Sequence, residues 1–494
     1  MARRCHYIQG NKSNEQPNNI VWFDTETKFK VRPDKRQYHY LWFGWACYQR
    51  RSCGEAWSQP QWYRFTSIDD FWTWCLDRAR AKTRLYLMSH NGAFDLPVMH
   101  TFTELPARGF RLTSAIADAP PMILSWRCDK RTIKYVDTLN IWRLPLAKVG
   151  KSIGIAKLPM PKPNASKAAW DEYGKQDVEV IRQATIRWLR FLRANDLGGF
   201  SPTLASQAFK AYRHRFMPCK ILIDTSIEPT TLAREAYLGG RCECFRIGTY
   251  RGEFYYLDVN SMYPSVMRDG YFPCKLLDYC DRPTHKELAK WLRTRAVVCD
   301  CVIDTREPAY PVLHQGRLCF PTGRFRCALT SPELEYALAQ GHIVSMAWAA
   351  IYERAQLFKG FVDFSIGERH KAIAAGNETD SWFFKRMGNS LYGKFGQRGR
   401  RYDECDICDP NEVQVWTDID LDSGEVKHYR KFGGIVQHWI DEGESRESFP
   451  AIAAHVTAYA RQKLYAAIRQ AGRRNCLYCD TDSLVVNRTG YSRL

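Results

Sequence analysis

Carboxylates recur in this sequence as close pairs inside or at the ends of apolar, β-prone stretches. "LYCDTDSLVV" carries Asp480 and Asp482, and "FDTET" carries Asp24 and Glu26, each pair separated by a single residue. On a strand, alternate side chains share a face, so each pair would present two like charges to one side. In apolar surroundings such a pair calls for a positive charge between its members. The "CDTDS" stretch also suits a polar hairpin turn. Asp258 ends the strand-like "FYYLD", Asp95 lies in "SHNGAFDLPV", and Tyr173 and Asp177 are four apart in "YGKQDVEV", on one helix face. Four carboxylates with a tyrosine fit a two-metal phosphodiester hydrolysis site, with Mg²⁺ on hard oxygen ligands. Taken singly, Asp24 also reads as a turn cap, Asp95 as an N-cap and Asp177 as a solvated helix residue. In "KRMGNSLYG", Lys385, Asn389 and Tyr392 fall at i, i+4 and i+7. On one helix face, the lysine can meet phosphates and the tyrosine can stack on a base. An amphipathic surface helix with a satisfied Asn has the same pattern.

The elements that position these groups alternate between strand-like and helical runs. "NIVWFDTET", "QYHYLWFGWACY", "TRLYLMSH" and "TIKYVDTL" read as strands, and "AWDEYGKQDVEVIRQATIRWLRFLRAN" has helical periodicity, closed by "DLGGFSP". A domain boundary is expected near residue 196. Beyond it come helical "TLASQAFKAYRHRF", the turn-like "YLGGR", strand-like "GEFYYLDVNSMYP", and the helix "FPAIAAHVTAYARQKLYAAIRQAG", which runs into "LYCDTDS". The 494 residues allow several domains, and 45% hydrophobic with 25% charged residues is globular composition. A formal charge of +19 favours a polyanionic partner, nucleic acid before an anionic membrane surface. The basic, polar start "MARRCHYIQGNKSNEQPNN" is no secretory signal, and no run reaches membrane-spanning length. A cytoplasmic location and reduced thiols are therefore expected for the 18 cysteines; "CDIC" (Cys405, Cys408) has zinc-knuckle spacing without a second pair.

As ordered sets, these motifs resemble a known family. "DTE", "HNGAFD" and "YGKQD" are similar to the three exonuclease motifs of DEDD-type 3′–5′ proofreading nucleases, over roughly residues 20–195. "DVNSMYP", "KRMGNSLYG" and "YCDTDS" resemble motifs A, B and C of family B DNA polymerases, and "VTAYAR" (Thr457, Ala460, Arg461) the TxxAR element preceding motif C. The resemblance implies an RNase H-like exonuclease domain over 1–195 and a palm and fingers over 196–494. It makes Asp258, Asp480 and Asp482 one metal site and Asp24, Glu26, Asp95 and Asp177 another. Each would hold two Mg²⁺, with Mn²⁺ able to substitute. It puts Lys385 on the incoming triphosphate, Tyr392 on the nascent base pair and Tyr263 as the steric gate against a ribose 2′-hydroxyl. Asn389 and Arg369 join them as nucleotide-binding residues.

"YLGGR" resembles the YxGG element of the protein-primed branch of phages and linear plasmids, giving Tyr237, Gly239 and Gly240 DNA contacts. Thr138 and Leu139 resemble that branch's SLxxh element, and "KLPM" makes Lys157 a candidate exonuclease lysine beside Tyr173. Thr27, His90, Asn91 and Phe94 would hold the single-stranded 3′ end; Thr457 and Arg461 would also contact DNA. Inserts are expected at about 270–345 and 397–448, where that branch contacts its terminal protein and wraps the template. Only "LVVNRTGYSRL" follows motif C, so the family's thumb and KxY element are expected to be absent or truncated. The implied activity is a DNA-directed DNA polymerase with 3′–5′ exonuclease, primed by a terminal protein and using primer-template DNA and dNTPs. The rivals are a hydrolase acting mainly as an exonuclease and a non-catalytic replication accessory. All seven acidic positions being present speaks against the accessory.

Overall fold

A computed structural model describes residues 4–31, 35, 37–52, 56–118, 120–421 and 423–494. The chain divides into two compact units, Lys12–Lys210 with Arg400–Glu442, and Met1–Asn11 with Ala211–Gly399 and Gly443–Leu494. The first unit therefore extends past the expected boundary near 196. Gly199 and Phe200 donate backbone hydrogen bonds to the carbonyls of Ser13 and Glu15 (2.7 and 2.8 Å), and buried Gln207 donates to Leu197 and Gly199. "DLGGFSP" thus ends a helix without ending the unit.

The first unit is built on a seven-stranded sheet in the order Gln61–Phe65, Gln37–Arg50, Asn19–Val31, Arg84–Met88, Arg131–Val136, Met122–Cys128, Arg111–Ala117. Arg84–Met88 pairs in parallel with Asn19–Val31 and with Arg131–Val136, and the outer pairings are antiparallel. Strands covered on both faces read as continuous apolar runs, and Ile20, Val21, Trp22 and Phe23 are all fully buried. Ser166 caps the 28-residue helix Lys167–Ala194, accepting a hydrogen bond from the Ala169 N–H. Its inward face carries Tyr173, Asp177, Val178 and Ile181 against the strand that bears Asp24 and Glu26 and against its neighbour Gln37–Arg50.

Residues 400–442 form most of a four-stranded antiparallel sheet in the order Arg398–Ile407, Ile435–Glu444, Val426–Phe432, Gln414–Ile419. This stretch, read from sequence as a polymerase insert, packs with the first unit. Phe432 enters that core beside Phe102, 5.9 Å between ring centroids, and the Tyr402 hydroxyl donates to Asp118 at 2.5 Å. The register of an apolar side chain on a distant core has no local signature, which is why sequence position alone does not give its packing partner.

The second unit holds two further four-stranded sheets. One, ordered Cys242–Cys244, Cys476–Asp480, Ser483–Asn487, Phe254–Asp258, carries the motif A and motif C carboxylates. The other, ordered Phe272–Asp281, Ile343–Ala355, Ala296–Thr305, Gly323–Thr330, spans most of the expected first insert and buries Leu288, Val297, Cys299 and Leu334 with its covering helices. Two helices, Lys359–Ala374 and Glu378–Ser390, pack together across a short connection with Gly376 at φ +65°. No described helix is long and apolar enough to cross a membrane.

Candidate active sites

In the first unit, Asp24 and Glu26 project from one strand toward Asp177 on the long helix. A carboxylate oxygen from each lies within 4.8 Å of the others, and among the described residues no other group of three acidic, His or Cys side chains meets this closeness. Gly174 lets the helix lie close on the sheet, because a Cβ there would sit 3.2 Å from Phe43 and 3.3 Å from Trp45. Burial raises the Asp24 carboxyl well above its usual range, and the charges of Asp95, Asp177 and Glu26 push it further. Burial and then Asp177 raise Glu26 to about 7. Asp95 lies inside the helix Gly92–Val98, buried, and accepts a hydrogen bond from the Thr25 hydroxyl (2.7 Å). Burial raises it to about 7, opposed by the Thr25 and Ser89 hydroxyls.

Lys157 donates to Asp177 Oδ2 and, at 2.8 Å, to the Tyr173 hydroxyl. Asp177 Oδ1 is buried with no hydrogen-bond partner among the described residues. An orphaned carboxylate oxygen beside two carboxylates of raised affinity for protons is a site short of positive charge. A divalent cation with oxygen ligands fits it.

Around this cluster the predicted strand-holding residues separate. The His90 ring is fully engaged within the protein, Nε2 donating to the Leu144 carbonyl and Nδ1 lying 2.9 Å from Thr138 Oγ1. Thr138 is buried, its hydroxyl also 2.9 Å from the Ser89 carbonyl. Leu139 begins a short helix, half-buried. Asn91 adopts φ +78° and, with Phe94, is exposed. A residue that sequence reasoning missed fixes this loop: buried Asp137 accepts hydrogen bonds from the backbone N–H groups of Asn91, Gly92 and Leu139 (3.1, 2.8 and 2.9 Å). Its signal was available, since it directly follows an apolar strand, much as Asp258 ends one. His39, 2.9 Å from Thr27 Oγ1, was also missed; only cross-strand pairing brings it there.

In the second unit, Asp480 and Asp482 are not on one strand face. Asp480 ends the strand Cys476–Asp480, and Thr481 and Asp482 form the two-residue turn to Ser483–Asn487, with Thr481 at φ +55°. The turn was one of the two readings open from sequence, and here it carries the charge. Asp258 and Asp480 both pair with Ser483, from opposite sides, which puts them in one row across the sheet. The Val259 N–H donates to the Asp482 carbonyl at 2.8 Å, drawing the turn against motif A. Burial raises the Asp482 carboxyl, Asp258 and Asp480 add to the shift, and Lys385 opposes it.

Lys385 and Asn389 are exposed on the helix Glu378–Ser390, but that helix stops before Tyr392, which opens a 3₁₀ turn. Tyr392 nevertheless stacks on Tyr263, centroids 4.8 Å apart at 26°. Arg369, on the neighbouring helix, has a buried Nε without a hydrogen-bond partner among the described residues.

Thr457 and Arg461 are buried rather than available to DNA. Arg461 pairs with fully buried Glu333 (Nε 3.0 Å, Nη2 2.8 Å) and donates through Nη1 to the carbonyls of Leu238 and Gly239. Tyr237, Gly239 and Gly240 therefore belong to a loop pinned from behind. Thr481 N–H donates to the Arg241 carbonyl of the same loop (2.8 Å), so Arg461 holds the motif C turn through the loop. Cys405 and Cys408 have no third acidic, His or Cys ligand within reach among the described residues.

Residues 161–470 match the family described as DNA polymerase type B, organellar and viral. The DNA-directed DNA polymerase of Enterobacteria phage PRD1 is 27% identical over 357 residues, 67% of this chain and 59% of that protein. The DNA polymerase of Bacillus phage phi29 is 23% identical over 481 residues, 86% of this chain and 74% of that protein. The chain thus spans somewhat under two thirds of the length of the PRD1 relative. The solved structure of phi29 DNA polymerase with primer-template DNA shares the fold, with a TM-score of 0.65 at 17% identity over 95% of this chain and 80% of that one. The chain belongs to the organellar and viral type B DNA polymerases.

Proposed function

We infer that this chain is a DNA-directed DNA polymerase with a 3′–5′ exonuclease, of the protein-primed kind, its two activities residing in the two units. The observation that carries the reading is the second carboxylate centre. Asp258 and Asp480 share a row, Asp482 sits in the adjoining turn within the influence of Lys385, and the Tyr263–Tyr392 stack lies within electrostatic reach of the same turn. A hydrolase needs only the first cluster. A cation, a base-stacking ring and a second set of metal-binding carboxylates are what transfer to an incoming nucleoside triphosphate requires.

Asp258, Asp480 and Asp482 would hold Mg²⁺, which neutralises the triphosphate and activates the primer hydroxyl. Lys385 would meet the phosphates, with Asn389 and Arg369 supporting the nucleotide. Tyr263 would exclude a 2′-hydroxyl and Tyr392 would support the new pair. In the other unit Asp24, Glu26, Asp95 and Asp177 would hold the hydrolytic metals, and Lys157 and Tyr173 would orient Asp177 and the attacking water. Thr27, Asn91 and Phe94 would receive the strand's 3′ end. Host cytoplasm is the compartment this reading implies, and a terminal protein would supply the first hydroxyl.

The test is incubation with a labelled primer-template and Mg²⁺. With dNTPs the primer should lengthen, and without them it should shorten from its 3′ end. Shortening in both conditions would reduce the chain to a hydrolase. Tyr263→Val should raise the ratio of ribonucleotide to deoxyribonucleotide incorporation, and an unchanged ratio would remove Tyr263 from the gate.

A further inference from the structure

The strand Asn19–Val31 outruns the sheet it belongs to. Its parallel neighbour pairs only with Ile20–Trp22, and the strand Gln61–Phe65 pairs only with Gly44–Tyr48. Among the described residues Thr27–Val31 and Gln37–Leu41 pair only with each other, as a two-stranded arm reaching about 17 Å beyond Glu26. A ribbon of two strands is marginal in water, yet this one keeps aromatic rings in solvent. Phe29, 52% exposed, packs on His39 with centroids 5.7 Å apart, and His39 meets Phe94, 38% exposed, edge-on at 5.3 Å. His39 is tied to Thr27, and Phe94 lies on the helix that carries Asp95. The file of rings therefore starts at the helix that carries Asp95, which bonds the neighbouring Thr25, and runs outward along the arm. The register puts Lys28 and Lys30 on the arm's other face, both exposed, over the rings of Trp42 (4.8 Å) and Tyr40 (5.5 Å). The paired strands of the arm carry no carboxylate, and the sequence between them has one, Asp34, against Arg32, Lys35 and Arg36.

We propose that this arm is a stacking track for single-stranded DNA, holding bases upstream of the 3′ terminus while that terminus occupies the Asp24–Glu26–Asp177 cluster. The proposal rests on the exonuclease reading above and deepens it, by lengthening the bound strand beyond the terminal nucleotides. Exposed rings receive any base face, so the track is tolerant of sequence. The lysines supply the positive potential that a phosphate backbone seeks. Continuity with the carboxylates and the charge of the arm select a nucleic-acid strand over an apolar protein surface.

The experiment uses the full chain with Phe29→Ala, a half-exposed ring whose removal leaves the sheet core untouched, and Phe29→Trp, which keeps a stacking face. Binding of oligothymidylates from dinucleotide to decanucleotide is followed by fluorescence anisotropy, with metal withheld so that the strand is not cut. Wild-type affinity should climb with length. Phe29→Ala should bind the long oligonucleotides about tenfold more weakly and lose most of the climb, and Phe29→Trp should restore it. An unchanged thermal midpoint in Phe29→Ala shows that the fold is kept. The same length dependence in wild type and Phe29→Ala, or an equal loss at every length, would overturn the track and leave the exonuclease reading standing. A wild-type chain that neither binds nor trims single strands would overturn both.

Discussion

Asp177 offers one oxygen to Lys157 and leaves the other buried and unpartnered, beside two carboxylates that hold protons to higher pH than usual. That arrangement is costly until a cation arrives, and the cost has a pH signature. Glu26 and Asp95 move from ordinary values of 4.5 and 3.8 to about 7 in the folded chain. Raised folded-state values contribute stability that is fully present below about pH 4 and is lost as pH rises toward 7. Asp24→Asn removes a carboxyl whose own ionisation is opposed by burial and then by the charges of Asp95, Asp177 and Glu26. The metal-free variant should therefore melt higher than metal-free wild type near pH 7, with the difference shrinking toward pH 4. Added Mg²⁺ should raise the wild-type midpoint more than that of the variant. A difference independent of pH, followed by differential scanning calorimetry, would contradict this account of the cluster.

The loop Tyr237–Arg241 shows how an element sets a site it does not enter. Arg461 and Glu333 fix its back, and its front accepts the Thr481 N–H. A Cβ on Gly240 would lie 2.8 Å from the Thr481 side chain. Gly240→Ala should push the motif C turn out of place and slow nucleotide addition by about tenfold to a hundredfold, while 3′ trimming proceeds at the wild-type rate. Equal loss of both activities in a single-turnover assay would mean that the loop acts more widely than on this turn. The sequence pattern marked the loop but not its role, because the contact that defines it comes from Arg461, more than two hundred residues away. Likewise, the alternation of Asp24, Thr25 and Glu26 exposed one carboxylate pair correctly as a strand feature. Asp480 and Asp482 share the same spacing but span a hairpin, since Thr481 takes a left-handed backbone that no composition rule forces.

At the scale of the molecule, the order of the motifs was legible because each carries chemistry at a fixed local spacing, whereas the partition of the chain was not. Residues 400–442 join the first unit through Phe432 and Tyr402, and Met1–Asn11 joins the second through pairing of His6–Tyr7 with Leu222–Ile223. Both are long-range contacts between segments with no distinctive sequence. The charge of +19 was legible at once. It predicts steep salt dependence, since each phosphate neutralised releases counterions. Primer-template affinity measured across a potassium chloride series should fall as a straight line on logarithmic axes, and a flat line would assign the basic surface to another partner. The central claim, two independent phosphoryl-transfer centres on two units, is tested most directly by measuring dNTP incorporation and 3′ trimming side by side in two variants. Asp482→Asn should abolish incorporation and keep trimming, and Asp24→Ala with Glu26→Ala should abolish trimming and keep incorporation. Loss of both activities in either variant, with the thermal midpoint still showing a folded protein, would contradict the account.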